Sequence, residues 1–247
     1  MTQTIYAIGD IHGDLEQLLQ VHQHVQQDVN NHAIEDYKIV HVGDLVDRRS
    51  DSRGVLDYLM AGHADNAPWV TLKGNHDRLF EWFLEDATRK DPILRPDYTW
   101  LHPRMGGRDT LRSYGVKVED DFDLKTVEAK ARAAVPQDHR DFLKALPLCF
   151  ENEHFFFTHA GIRPGVPLEE QTEDDLIWIR HDFLDSTKQH PKIIVHGHTP
   201  VDDVIHYGNH INIDTGAAYG RKLSTIVIED RNVWLLDGTK RVALLPE

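Results

Sequence analysis

Short apolar runs and longer amphipathic stretches alternate along the first third of the chain. The segments TIYAIG, YKIVHVG and WVTLKG are apolar runs that predict three β-strands. The stretch DLEQLLQVHQHVQQDV after the first run carries leucine and valine near helical spacing, and residues 53–63 and 76–87 have a similar amphipathic pattern. The pattern therefore predicts β-α-β-α-β-α through about residue 87, which is typical of an α/β domain.

The alternation of apolar runs and amphipathic stretches ends at residues 88–136. This region begins with a stretch rich in Pro and Arg that predicts a loop, and it becomes helical in pattern around Thr110 and Val127. We interpret it as a helical insert or cap within a single domain that spans residues 1–247. After it, HFFFTHAG, KIIVHGHTP, HINIDTGA, LSTIVIED and NVWLLDG are short strand candidates separated by turn residues. The second half is thus expected to be strand-rich and closer to a meander than to further β-α units.

Composition argues against several classes of function. A formal net charge of -14 over 247 residues argues against nucleic acid or an anionic membrane as a partner, since phosphate binding normally needs a basic face. The only cysteine, Cys149, excludes an internal disulfide, and neither a signal peptide nor a membrane-spanning run is apparent, so we expect a soluble cytoplasmic protein. With 17 histidines, any metal site should use imidazole and carboxylate ligands rather than thiolates.

Polar, metal-binding residue types follow five of the predicted strands. The strand ends read GDIHG, GDLVDR, GNHD, THAG and GHTP. Open α/β sheets build ligand sites at one end of their strands, so these side chains are expected to converge. A turn aspartate or a packed histidine would explain any one of them, but five together favour a metal site.

The residue types at these ends suit two ions. Asp10 and His12 alternate along extended backbone and therefore point to the same side, where both can reach one ion. Asp44 has two carboxylate oxygens and can bridge two ions. Neutral oxygen and nitrogen donors for the second ion follow the other strands: Asn75, His159 and His198.

These motifs, in this order, resemble the motif set of the metallophosphoesterase superfamily. More narrowly, they are similar to its phosphoprotein-phosphatase branch, which includes bacterial and phage serine/threonine phosphatases. The resemblance runs from residue 9 to about residue 200. It implies a calcineurin-like α/β sandwich of two mixed β-sheets flanked by helices, with a dinuclear metal centre at one end. Pro200 stands where many generic members have a second metal-binding histidine, which favours the phosphatase branch.

The resemblance also implies roles for single residues. The ligands of one ion would be Asp10, His12 and Asp44, and those of the other would be Asp44, Asn75, His159 and His198. His76 would be the general acid that protonates the leaving group, with Asp47 orienting it. Arg48 and Asn75 would bind the phosphoryl group, and a looser similarity of DLIWIR to the family's Trp-x-Arg stretch makes Arg180 a second phosphate-binding arginine.

Other residues near the motifs receive different expectations. Arg49 stands where the family usually has glycine, and it either adds positive charge at the mouth of the site or faces solvent. His196 is not expected to bind metal, and His41 is expected to be a packed core residue. His22 and His24 lie on the first predicted helix and are expected to be solvated.

The resemblance implies hydrolysis of phosphomonoesters by a hydroxide that two divalent ions activate. Manganese is the first choice for the mixed donor set, although iron or zinc would fit it. The leading hypothesis is a serine/threonine phosphoprotein phosphatase acting on a phosphorylated protein or a small phosphorylated substrate. The alternative is a bis(5'-nucleosyl)-tetraphosphatase; symmetrically cleaving members usually lack an aspartate at position 47, whereas asymmetrically cleaving ones keep it. A non-enzymatic binding module is disfavoured because every expected ligand is present.

Overall fold

The computed structural model describes residues 3–247 as two β-sheets flanked by helices. The first sheet contains six strands: β1 (Thr4–Ile8), β2 (Tyr37–His41), β3 (Trp69–Thr71), β9 (Thr225–Glu229), β10 (Asn232–Asp237) and β11 (Lys240–Ala243). The second contains five: β4 (Cys149–Glu151), β5 (Phe155–Thr158), β6 (Ile193–His196), β7 (Ile205–His206) and β8 (His210–Asn212). The α-helices are α1 (Leu15–Asn31), α2 (Ser52–Ala64), α3 (Asn75–Glu85), α4 (Gly107–Ser113), α5 (Leu124–Ala134), α6 (Gln137–Ala145), α7 (Glu173–Trp178) and α8 (His181–Leu184).

The first sheet confirms the β-α-β-α-β-α pattern predicted through about residue 87. Its strand order is β11-β10-β9-β1-β2-β3, in which β1, β2 and β3 are parallel and β9 runs antiparallel to β1. Helices α1 and α2 connect the parallel strands. The carboxyl ends of β1, β2 and β3 therefore meet at one edge, which brings the first three motifs together.

The second sheet differs from the predicted meander. Its order is β4-β5-β6-β8-β7, and both β5–β6 and β6–β8 are parallel pairs. Parallel neighbours need a crossover connection, and residues 159–192 provide one that contains α7 and α8. These helices are only 6 and 4 residues long, too short to give a clear helical period in the sequence. Among residues 3–247, only β9, β10 and β11 form a simple antiparallel meander.

A layer of buried apolar side chains lies between the two sheets. Strand β1 shows how it forms, because Ile5 and Ala7 face this layer while Tyr6 and Ile8 face the helices on the other side. A strand buried on both faces has a continuous apolar sequence, which is why TIYAIG could be predicted as a strand. The second sheet contributes Phe155, Phe157, Val195 and Ile211 to the same layer. The sheets are thus held face to face, and their strand ends form a common edge.

Helix α1 corrects one expectation. Asp14 caps its first turn by accepting a hydrogen bond from the Gln17 backbone N–H at 3.2 Å. The buried stripe of the helix includes Leu18 and Val25, and His22 lies on it rather than in solvent. Its ring nitrogens are 2.9 Å from the Tyr58 hydroxyl and 2.9 Å from His41 Nε2. The prediction for His22 was wrong because its position, four residues after Leu18, places it on the buried face.

Helices occur where residues 88–136 were expected to become helical. Helix α4 contains Thr110 and α5 contains Val127, and α4, α5 and α6 pack against α2 and α3. The division into a single domain with an insert at about 88–136 stays a prediction. Within residues 3–247, no helix has both the length and the apolar character needed to cross a membrane.

Candidate active site

The motif residues converge at the common edge of the two sheets. Of the eight non-glycine residues with positive φ in residues 3–247, five lie in the motif turns: His12, Asp44, Asp47, Arg48 and His198. Side chains rarely tolerate this conformation, and residues that adopt it cluster at functional sites. The backbone here is therefore shaped to aim side chains rather than to minimise local strain.

Asp44 lies at the centre of the convergence. One carboxylate oxygen is 3.4 Å from His12 Nε2, and the other is 3.4 Å from His159 Nε2. Two groups of donor atoms, each within 4.8 Å of one another, share this residue: His12, Asp44 and His76, and Asp44, His159 and His198. Asp44 belongs to both groups, as a bridging ligand would, but the first group contains His76 where the sequence predicted Asp10.

Hydrogen bonds fix which imidazole nitrogens are free. His12 Nδ1 is 2.9 Å from the Val46 carbonyl oxygen, and His159 Nδ1 is 3.0 Å from the Val42 carbonyl oxygen. A carbonyl only accepts, so Nδ1 carries the proton in both residues and the Nε2 lone pair faces Asp44. His159 Nε2 also lies 3.0 Å from Asn75 Oδ1, which brings the predicted amide ligand to the same point.

Asp10 follows β1 and contacts the backbone of His198 rather than the imidazole rings of His12 and His159. Its carboxylate accepts a hydrogen bond from the His198 backbone N–H at 3.1 Å. Burial and the neighbouring charges of Asp214 and Asp44 raise the pKa of Asp10 well above its usual value. Several buried carboxylates facing one another are unfavourable unless a cation lies among them.

The electrostatics of the group fit metal ligation. Burial lowers the pKa of His12, His159 and His198, so all three are neutral imidazoles near pH 7, the form that binds metal. Neutral imidazoles, an amide oxygen and a carboxylate common to both donor groups form a donor set that suits divalent metal ions.

His76 is fixed between Asp47 and Arg48. Its Nδ1 is 2.6 Å from the Asp47 carboxylate, and Arg48 Nη2 donates to its Nε2 at 3.1 Å. His76 Nδ1 thus donates to Asp47, and Nε2 is the nitrogen that faces the site. At the start of α3, Asp77 caps the helix by accepting from the Gly74 backbone N–H at 2.8 Å, as a helix N-terminal residue should.

Arg48, Arg180, Asn75 and His76 line one small cavity of about 80 Å³ together with His12, Asp44 and His198. Arg180 Nε donates to His198 Nε2 at 3.0 Å. One lone pair cannot serve two partners, so a metal ion bound to that nitrogen would free the Arg180 side chain. The two predicted arginines thus reach the same cavity from the loop after β2 and from the start of α8.

Two polar residues that the sequence did not predict, Asp214 and Tyr219, also line this cavity. Asp214 follows β8, and burial raises its pKa to about 6. Tyr219 receives a hydrogen bond from Arg48 Nη1 at 2.5 Å, and its ring is 63% exposed. The rule that collected the other strand ends would have found Asp214, because HINIDTGA is also a strand that ends in a carboxylate. No pattern of period or spacing marked Tyr219.

His196, Arg49 and His41 lie outside the cavity. His196 is buried and its ring nitrogens contact the Gly197 carbonyl oxygen and His210 Nδ1, so they are already used by protein groups. Arg49 faces outward and donates to Asp14 Oδ2 at 3.2 Å. His41 lies in the core, fully buried, as expected.

Comparison with known proteins agrees with this arrangement. The chain is 24% identical over 242 residues to the bis(5'-nucleosyl)-tetraphosphatase PrpE (asymmetrical) of Anoxybacillus flavithermus, with 89% of this chain and 88% of the relative covered. It is 26% identical over 230 residues to serine/threonine-protein phosphatase 2 of Escherichia coli K12, with 89% and 90% covered.

Solved structures share the fold. A cold-active protein-tyrosine phosphatase of a psychrophile Shewanella species superposes with a TM-score of 0.57 at 16% identity, covering 99% of this chain and 81% of that one. A serine/threonine phosphatase of Saccharomyces cerevisiae gives a TM-score of 0.54 at 13% identity, with 100% and 81% covered. The sequence model of the calcineurin-like phosphoesterases matches residues 3–227. The chain therefore belongs to the calcineurin-like phosphoesterase family and is a metallophosphoesterase hydrolase.

Proposed function

We propose that this protein is a metal-dependent phosphomonoesterase that acts on phosphoserine or phosphothreonine in a protein substrate. The observation that carries the proposal is the buried Asp47–His76 pair, whose 2.6 Å contact fixes an imidazole at the edge of the cavity. Serine and threonine alkoxides are poor leaving groups, so cleavage of their esters depends on protonation of the departing oxygen. A phosphoanhydride has a much better leaving group and depends less on such an acid, so the pair favours the monoester, although asymmetrically cleaving tetraphosphatases keep the same aspartate.

His76 would supply that proton from Nε2, once Arg48 has turned from Nε2 to the phosphoryl group and Nε2 has taken up a proton. Water attacks phosphorus as the new P–O bond forms, the ester P–O bond breaks, and the proton moves from Nε2 to the serine or threonine oxygen. Asp47 holds Nδ1 and thereby stabilises the protonated ring that precedes transfer. One proton of the attacking water stays on the product phosphate, and the other passes to solvent, from which His76 takes up a proton for the next turnover.

Arg48, Arg180 and Asn75 would hold the phosphoryl group. A guanidinium can donate two hydrogen bonds to one phosphoryl group, and the charge on the equatorial oxygens grows toward the transition state. The proposal is supported by the position of all three residues around one cavity.

Two divalent ions would be held by the residues already proposed, with Asp44 common to both. When bound, such ions polarise the phosphoryl group and lower the pKa of a water molecule. We propose manganese because the donors mix carboxylate, amide oxygen and imidazole. A cytoplasmic location is a further proposal, with which the single cysteine agrees.

A second candidate is asymmetric hydrolysis of a dinucleoside tetraphosphate. Two observations favour it: several relatives bear that name, and the exposed Tyr219 ring stands at the mouth of the cavity beside Arg48. An exposed aromatic ring can stack on a nucleobase, and arginine can bind additional phosphates.

The test is a comparison of kcat/KM with manganese for a phosphoserine peptide, a phosphotyrosine peptide and diadenosine tetraphosphate. We expect the phosphoserine peptide to be hydrolysed best. Efficient turnover of diadenosine tetraphosphate alone would replace the leading proposal by the second one, and hydrolysis of none of the three would contradict both.

A further inference from the structure

Two residues of segment 100–110 hold the Asp47 carboxylate. Trp100 Nε1 donates to Asp47 Oδ2 at 2.8 Å, and Thr110 Oγ1 donates to Oδ1 at 2.6 Å. Asp47 is fully buried, and within residues 3–247 no lysine or arginine forms an ion pair with it. Its two oxygens are therefore held by two neutral donors and the His76 imidazole.

The same segment supports the backbone of Asp47. Its φ is 76° and that of Arg48 is 72°, so two consecutive side-chain-bearing residues are left-handed. The Asp47 backbone N–H donates to Thr110 Oγ1 at 2.9 Å and to Ser52 Oγ at 3.0 Å. Thr110 thus contacts both the main chain and the side chain of one residue.

Gly106 completes the contact on the Arg48 side. A Cβ atom at this position would lie 2.3 Å from the Arg48 backbone nitrogen, and the φ of Gly106 is 88°. Only glycine allows this approach. Trp100 is itself immobilised, since its ring centroid lies 5.1 Å from that of Phe80 and 4.7 Å from that of Phe83.

We propose that Trp100, Gly106 and Thr110 form a positioning clamp that sets Asp47 and Arg48 relative to His76. None of the three lines the cavity, so they act through the residues they hold and are not catalytic residues themselves. The inference rests on the proposed function, because it names the residues that position the proposed acid. It assigns to segment 100–110 the alignment of the acid rather than the covering of a substrate.

The clamp explains why one carboxylate needs so many partners. With Oδ1 bound to Thr110 and Oδ2 bound to Trp100, the carboxyl plane cannot turn away from His76 Nδ1. The imidazole is then held in one orientation, and Nε2 stays directed at the leaving-group oxygen. We expect loss of the Thr110 hydroxyl to let the plane rotate, while Ser52 Oγ still accepts from the Asp47 backbone N–H.

The variants are Thr110→Val and Trp100→Phe, with Thr110→Ser to restore the hydroxyl and Thr99→Val as a control at an exposed threonine. We expect kcat on a phosphoserine peptide to fall about tenfold in the first two, the usual effect of losing a hydrogen bond to a charged group. On 4-nitrophenyl phosphate, whose leaving group needs little protonation, the loss should stay below about twofold. Thr110→Ser should recover most of the peptide activity, and Thr99→Val should resemble the wild type.

A double-mutant cycle separates positioning from general damage. Thr110→Val should add almost no further loss in an Asp47→Asn background, since both changes act through one pair. Equal loss on both substrates, or full additivity with Asp47→Asn, would overturn the clamp. If Trp100→Phe has a lowered melting temperature, the Thr110→Val variant alone tests the clamp, because valine matches threonine in shape.

A readout that does not depend on turnover is the NMR signal of the His76 Nδ1 proton in the metal-free protein. We expect a strongly downfield resonance in the wild type that shifts or broadens in Thr110→Val and returns in Thr110→Ser. An unchanged resonance in a folded Thr110→Val variant would contradict the clamp. An inactive wild type that still shows these shifts would overturn the proposed function and leave the clamp supported.

Discussion

At the scale of single residues, Asp44 differs from the other candidate ligands because each of its oxygens faces a different imidazole. We predict that Asp44→Asn disturbs both ions and lowers metal affinity by at least about 100-fold, the upper range for residues that only support a ligand. Asp10→Asn should disturb one ion, and Asp203→Asn, at an exposed site, neither. Metal content per chain after gel filtration is the measurement, and two full equivalents in Asp44→Asn would contradict the bridging role.

Arg48 and Arg180 differ in how firmly they are held. Arg48 bonds to both His76 and Tyr219, whereas Arg180 is exposed and has His198 as its cavity partner. Replacing either by alanine should raise the inhibition constant of inorganic phosphate about tenfold or more, with metal content unchanged. Arg112→Ala is the control, since Arg112 lies on the surface of α4. Unaltered phosphate inhibition in Arg180→Ala would remove that residue from the site.

At the scale of elements, a buried ion pair ties helix α1 to strand β11. Arg241 Nη2 is 2.7 Å from Asp28 Oδ2, and the Tyr6 hydroxyl of β1 donates to the same oxygen at 2.6 Å. Arg241→Met leaves the Asp28 carboxylate buried without its main partner, so we predict a loss of about 3 kcal/mol in the free energy of unfolding. Urea denaturation in EDTA measures it, and a loss below about 0.5 kcal/mol would show that the pair adds little.

The same pair predicts a pH dependence. Burial alone would raise the pKa of Asp28, but hydrogen bonds from Arg241 and Tyr6 bring it below its usual value. Its contribution is therefore complete above about pH 4, the ordinary value for aspartate, and is lost as pH falls through the lowered pKa. The stability difference between wild type and Arg241→Met should shrink toward pH 3.

Element by element, the sequence predicted what local pattern determines. Strands β1, β2 and β3 could be predicted because they are short apolar runs, of which β1 is buried on both faces, and because their ends carry the candidate ligand motifs. The parallel pairing of β5 with β6 could not be predicted, because the crossover between these strands contains two helices too short to show a helical period. The contacts of Trp100 and Thr110 with Asp47 join residues that are 53 and 63 positions apart in the sequence. A local hydrophobic pattern cannot predict contacts between residues so far apart.

At the scale of the whole molecule, the candidate ligands come from both sheets. Asp10, Asp44 and Asn75 follow strands of the first sheet, while His159 and His198 follow strands of the second. Ions bound among them would link the two sheets, so manganese at 100 times its dissociation constant should raise the melting temperature by about 5–10 °C. A His159→Ala variant should show a smaller rise, and an unchanged wild-type melting temperature would argue against the site.

The most direct measurement of the proposed function compares His76→Asn with the wild type on two leaving groups. His76 contacts Asp47 and Arg48 but is not proposed as a ligand, so the variant should keep both ions. Its turnover of a phosphoserine peptide should fall by about 100-fold or more, the usual contribution of a general acid, with a much smaller fall on 4-nitrophenyl phosphate. Equal losses on the two substrates would contradict the assignment of His76 as the acid and, with it, the main reason to expect a phosphomonoester substrate.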